Sequence, residues 1–242
     1  MSLGSSTITL RLNLFPWAEY KRAQGGVKAH IMLDHDDYMP SFVLLTETKV
    51  ADATVAQGLA LTPGSILVVD QSYQHYALFG TWTSQGVSFV TRLKSNAVFE
   101  VLANRPRPKA QNVLADQTIL FTISLTDCSY PLRRLVVWDE KNQKQVEPLT
   151  NHHKPTASIV ADIYKDRWKI KLFFKALKQN FKVKTFVGTS SNALEIQIWI
   201  ALIALPLLKG LRLLSLAGWS LSNLAAMLRL NLFTYTATFI DN

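Results

Sequence analysis

Through the first third of the chain apolar residues alternate with polar ones or run unbroken; through the last third they recur every three to four positions. The first pattern predicts strands at TITLRL (7–12), VKAHIML (27–33) and MPSFVLLTE (39–47). The last two, joined by the polar turn His35-Asp36-Asp37, form an antiparallel hairpin. ADATVAQGLA (51–60) predicts a short helix with Asp52 near its start. SILVVD (65–70) is a continuous apolar run ending on a carboxylate, the pattern of a buried central strand. YQHYALFGTWTSQG (73–86) fits a helix stopped by Gly86, and VSFVTRL (87–93) fits a further strand.

From Lys94 to Pro155 the texture changes. NRPRPKAQN is a breaker, TILFTIS and RLVVWDE alternate as strands, and KNQKQ reads as a turn, which together predict a β-rich insertion. From Thr156 onward the chain is helical. The boundaries expected are therefore 1–93 for the first part of an α/β core, 94–155 for the insertion, and 156–242 for the second part with C-terminal helices. IQIWIALIALPLL (196–208) lies between Glu195 and Lys209 and contains Pro206; it is shorter than the span of about 20 residues a membrane needs and predicts a buried helix.

Two places carry candidate chemistry. Asp70 ends the apolar strand at the carboxyl edge of the sheet, where open α/β sheets keep their sites, although spacing alone favours a capping role for the next segment. On a helix, YKDRWKIKLFFKALKQNF (164–181) puts Ile170, Phe173, Phe174, Leu177 and Phe181 on one apolar stripe. Tyr164, Arg167, Lys171 and Lys178 fall within about 60° on a neighbouring face, joined by Lys175, with no carboxylate among them. A solvated basic face and a phosphate-tracking surface both fit that pattern.

Composition sharpens the choice. Of 242 residues 48% are apolar and 18% charged, which excludes a disordered chain. A net charge of +9 suits a polyanion, nucleic acid before a membrane surface. The single Cys128 excludes an intramolecular disulfide or a multi-cysteine zinc site and reads as a small buried hydrophobe. His152 and His153 point apart on an extended chain and offer no third ligand, and Trp82 and Trp168 read as core aromatics. MSLGSSTITLRL lacks a charged segment followed by an apolar core, so a secretory signal is not expected, and the protein reads as cytoplasmic, soluble and not membrane-bound.

Tyr164-x2-Arg167-x3-Lys171-x6-Lys178 resembles the Y-x2-R-x3-E-x6-K motif of DDE transposases of the insertion-sequence-four group. VVDQSYQHYALFGTW (68–82), FVTRLK (89–94), FKALKQNFKVKTFVGTSSNALEIQIWIALIA (174–204) and LFPWAEYKRAQGGVKAHIMLDHDDYMPSFVLLTE (14–47) look like that family as well. The resemblance implies a ribonuclease H-like fold: a mixed sheet with flanking helices and a β-rich insertion before the last catalytic helix. It implies transposon DNA as partner, raises a homo-oligomer, and places the chain on the nucleoid when DNA-bound. Tyr164, Arg167, Lys178 and the neighbouring Lys175 would face DNA.

The family's chemistry requires three carboxylates that bind two Mg2+ (or Mn2+) ions for in-line phosphoryl transfer. The second carboxylate maps onto Asp70. The first falls in the word Leu3-Gly4-Ser5-Ser6-Thr7-Ile8, where Gly4 takes its place, and the third is replaced by Lys171. At about 4 Å and an effective dielectric of about 20, attraction between Lys171 and Asp70 is on the order of 4 kcal/mol before desolvation. An ion pair in place of a metal site is therefore expected, with no metal bound and no catalysis. Asp34, Asp36 and Asp37 read as turn residues and Glu195 lies a helix and loop away, so neither restores the set. Met1 falls just before the first catalytic strand, and Ser72 replaces a frequent glycine. Truncation together with two lost ligands suggests a degenerate element, either a disabled transposase core or a non-catalytic DNA-binding remnant that regulates intact relatives. A membrane-surface protein built on 193–217 is the third reading.

Overall fold

The computed structural model describes residues 1–11, 13–21, 24–36, 39–106, 112–122, 128–180, 188–214 and 218–231. Asp37 and Phe181 lie outside the described residues. In chain order the strands are β1 (Ser2–Leu10), β2 (Glu19–Lys21), β3 (Gln24–Leu33), β4 (Pro40–Glu47), β5 (Ile66–Val69), β6 (Ser88–Arg92), β7 (Phe99–Asn104), β8 (Val113–Phe121), β9 (Leu132–Asp139), β10 (Lys144–Val146) and β11 (Pro148–Thr150). The helices are α1 (Asp52–Gln57), α2 (Tyr76–Ser84), α3 (Ala157–Asn180), α4 (Ser191–Leu214) and α5 (Leu221–Asn231).

The chain divides into two compact units, residues 1–7 with 26–172 and residues 8–25 with 173–242. In the first unit the sheet runs β3-β1-β5-β6-β11-β9-β8-β7, with β4 on β3 and β10 on β9. β1, β5 and β6 are parallel neighbours, and from β11 outward the pairing is antiparallel. This is the ribonuclease H-like mixed sheet expected from the resemblance. The strands of 94–155 do not form a separate layer, because β11 joins β6 on one side and β9 on the other. β7 is absent from the strands read in the sequence: VFEVLAN lies on the sheet edge with most of its residues exposed, so no apolar alternation marks it.

Side chains alternate across the sheet, and each face carries its own core. Leu3, Leu67, Val69 and Phe89 pack with Tyr73, Leu78, Phe79 and Trp82 of the α2 layer; Phe79 stacks on Phe89 at 4.5 Å between ring centroids. On the opposite face Val90, Val113 and Leu135 pack with Ala157, Val160 and Tyr164 of α3. Gly86 ends the α2 segment at φ 71°, a conformation that favours glycine. Thr156 starts α3: its carbonyl accepts the Val160 N–H and its hydroxyl the Ile159 N–H. Arg133 of β9 fixes that start to the sheet. It pairs with Asp116 of β8 at 2.6 Å, both at most 3% exposed, and donates to the Pro155 carbonyl.

In the second unit β2 pairs with residues 24–25, and Trp17 donates to the Thr189 carbonyl. The apolar run around Pro206 belongs to a 24-residue helix that passes through the proline. This corrects the expectation of a short, buried element. Leu194, Ile198, Ala201, Leu202, Leu205 and Leu208 are buried, but Ile200, Ile203 and Leu207 are about 60% exposed. By length and composition α4 is long and apolar enough to cross a membrane.

Candidate functional site

The strand register brings the first two candidate positions together. Leu3 pairs with Val69 across the parallel β1–β5 ladder, so the next residues, Gly4 within β1 and Asp70 just past the end of β5, follow side by side. Asp70 uses one carboxylate oxygen locally: Oδ1 accepts the Gln71 N–H at 2.6 Å and caps the 3-10 turn at Gln71–Tyr73. The two roles considered for Asp70 thus coexist. Its other oxygen faces α3, where Arg167 Nη1 donates at 2.9 Å and Lys171 Nζ lies at 3.2 Å. Arg167 and Lys171 are one helical turn apart, which is why both reach one carboxylate.

The Lys171–Asp70 ion pair foreseen from the sequence is therefore present. Lys171 is 46% exposed and Asp70 35%, so solvent screening limits the pair to about 1 kcal/mol or less. Arg167 is 9% exposed at its side chain and was not foreseen as a partner of Asp70. Burial pushes the Asp70 carboxyl up, but Arg167, Lys171 and the Gln71 N–H together hold it below the ordinary carboxylate range. Asp70 is thus an anion at neutral pH, held between two cations.

The rest of the polar face of α3 is less solvated than the sequence suggested. Tyr164 is buried, and burial pushes its phenol pKa up. The Arg167 guanidinium lies over the Tyr164 ring at 5.1 Å and the Trp168 ring at 5.7 Å, while Lys171 Nζ sits over Trp168 at 5.3 Å. Trp168 is 54% exposed, which corrects its reading as a core aromatic; Trp82 is in the core as expected. The apolar stripe expected of Ile170, Phe173, Phe174 and Leu177 is buried. Lys175 and Lys178 lie further along the same helix, in the second unit.

Beside the N-terminal half of α3 a cavity of about 870 Å³ is lined by Arg92, Trp138, Lys144, Tyr164, Arg167 and Trp168, among others. Arg92 and Trp138 were not singled out in the sequence. Arg92 stands in the word FVTRLK at the end of β6, and Trp138 in RLVVWDE, where strand alternation gives no sign of a shared cavity. Arg167 Nε is buried without a hydrogen-bond partner.

The other candidates have local roles. Asp34 Oδ1 accepts the His35 and Asp36 N–H groups, the turn role expected of it. Glu195 on α4 bonds to Ser191. His153 Nε2 faces the Pro131 carbonyl, and Cys128 is buried and in no disulfide.

A divalent cation needs hard, anionic oxygen ligands, and the Gly4/Asp70/Lys171 set does not fit one. It offers a single carboxylate whose outward oxygen already holds two cations. Among the described residues no group of three His, Cys, Asp or Glu side chains could hold a metal ion.

Residues 5–207 match the transposase DDE domain family. The match begins one residue after Gly4, so the register opposite Asp70 carries the placement of that position. A Sinorhizobium fredii protein named transposase y4zB is 33% identical over 201 residues, covering 80% of this chain and 55% of that protein. A Geobacillus stearothermophilus transposase for insertion sequence element IS5377 is 30% identical over 212 residues, covering 86% of this chain and 55% of that protein. The chain thus spans about half the length of these relatives. A chain of the piggyBac transposase synaptic complex with hairpin DNA superposes with a TM-score of 0.53 at 14% identity, over 98% of this chain and 55% of that one. That likeness concerns the fold.

Proposed function

This chain belongs to the transposase DDE domain family, and on that premise we propose that it is a transposase core fragment that binds DNA without metal-dependent cleavage. The observation that carries the reading is the pair of cations on Asp70, the carboxylate left at this edge. In the family's in-line phosphoryl transfer, metal ions make water or a 3′-hydroxyl nucleophilic and stabilise the departing oxygen. An ammonium and a guanidinium can orient a phosphate and offset charge developing on it, but as permanent cations they do not take the proton from the attacking water or hydroxyl. Gly4 adds no ligand, and Lys171 places positive charge beside the carboxylate that a metal would need.

DNA binding is supported by the same two cations and by the rest of the basic face of α3. Arg167 offers a planar fork, and Tyr164 a phenol against it. Lys171, Lys175 and Lys178 continue the basic face along α3 by helical spacing, on a chain whose net charge is +9. The chain would act in the cytoplasm on nucleoid DNA. It would compete there with intact relatives for the same sites.

Calorimetric titration of Mn2+ into the unmodified chain and the Gly4→Asp, Lys171→Glu double variant tests the metal half of this reading. No binding is expected to the unmodified chain, and binding is expected once both carboxylates return. Binding by the unmodified chain would overturn the inactive reading. Binding by neither would leave it standing, with a site that two substitutions do not rebuild.

A further inference from the structure

We infer that Lys171 has turned the former metal position into a metal-independent phosphate site, in which its ammonium holds the backbone phosphate of a DNA strand that a metal would otherwise bridge. The inference rests on the DNA-binding reading above and deepens it.

The charge arithmetic changes sign here. Three carboxylates with one arginine are strongly anionic and repel a phosphate unless cations intervene. Here one carboxylate meets two cations, Arg167 at 2.9 Å and Lys171 at 3.2 Å, and the cluster keeps one net positive charge. A phosphate needs no bridging metal to approach it.

The geometry also leaves donors for the ligand. An ammonium has three donors, and the Asp70 contact at 3.2 Å occupies one direction. Lys171 is half-exposed, and its ammonium sits over the exposed Trp168 ring at 5.3 Å. The ring face and the carboxylate hold the ammonium at the surface without burying it. Arg167, by contrast, is buried with Nε unpartnered, so the two cations form one depth-graded pair with Lys171 outermost. The outward oxygen of Asp70 is held by both cations and is not free to take a proton from water, so binding and cleavage separate.

A strand phosphodiester and a free phosphate share this chemistry, and the experiment distinguishes them. Fluorescence anisotropy of a labelled DNA duplex is read for the unmodified chain, Lys171→Met and Lys171→Glu, each at several salt concentrations, in EDTA and in Mg2+. Thermal melts check that the variants fold. The unmodified chain is expected to bind fully in EDTA. Lys171→Met should bind several-fold more weakly, with a salt slope smaller by about 0.9 for the one lost contact. Lys171→Glu should bind more weakly still in EDTA and regain affinity on addition of Mg2+.

Loss of binding by the unmodified chain in EDTA overturns the inference and leaves the DNA reading intact. So does a folded Lys171→Met with unchanged affinity and slope. Absence of salt-dependent DNA binding by the unmodified chain instead defeats the DNA reading. Calorimetry with pyrophosphate then decides the site: binding lost in Lys171→Met keeps the anion site for a free ligand, and no binding ends it.

Discussion

Asp70 is a carboxylate whose charge is favoured by two fixed side-chain cations, where in a metal site a bound ion would do so. In a metal site removing the charge would release the ion; here it would free two cations. Asp70→Asn is therefore expected to tighten DNA binding and steepen its salt dependence, read by anisotropy, where the same change in a working metal site would abolish function. The acid limb of stability gives a second readout. Because the folded carboxyl lies below its ordinary value of 3.8, its contribution is fully present above that value and is lost as pH falls through the lower folded one. Asp70→Asn should thus flatten the fall of urea stability below about pH 4 and leave its pH dependence from 5 to 8 unchanged. The difference should be about 1 kcal/mol, since the carboxylate is partly exposed. The sequence contained Asp70, Gly4 and Lys171 because each is a single position in a spaced motif. It did not contain the Arg167–Asp70 bond, which joins residues 97 apart through the approach of a helix to a strand end.

At the scale of elements, periodicity revealed the longer strands and helices that bury one face; it missed the exposed edge strand β7, and the three-residue strand β11, which is buried but too short to show a period. β5 and the start of α3 were legible because packing on the sheet fixes which side chains turn inward. β7 was not, because an edge strand with exposed residues has no inward face to betray it. α4 was read as wholly buried because an apolar run carries no mark of which residues face solvent. The structure divides it: Leu205 is fully buried, and Ile203, two residues earlier, is 61% exposed. Leu205→Ala should cost about 2–5 kcal/mol in urea unfolding, and Ile203→Ala no more than about 0.5 kcal/mol. Equal costs at the two positions would mean that the outer face of α4 is covered in solution.

For the whole molecule, fold and chemistry come apart. The mixed sheet depends on alternation and burial in Leu3, Val69, Phe89 and their neighbours, none of which needs a carboxylate at its edge. A neutral Gly4 and a cationic Lys171 therefore leave the core untouched, and on the proposed reading they make the edge more attractive to DNA. With 26 Lys+Arg against 17 Asp+Glu, attraction to a polyanion is also distributed over the molecule. Binding should consequently survive the change that removes catalysis. A supercoiled plasmid is a single substrate on which both can be read. Incubated with the unmodified chain and Mg2+ or Mn2+, it should be retarded on a gel at low salt, released as salt rises, and recovered without nicks. Divalent-dependent nicking that disappears in Asp70→Asn would show that the remaining carboxylate still recruits a metal, and the separation of binding from cleavage argued from Lys171 would fail.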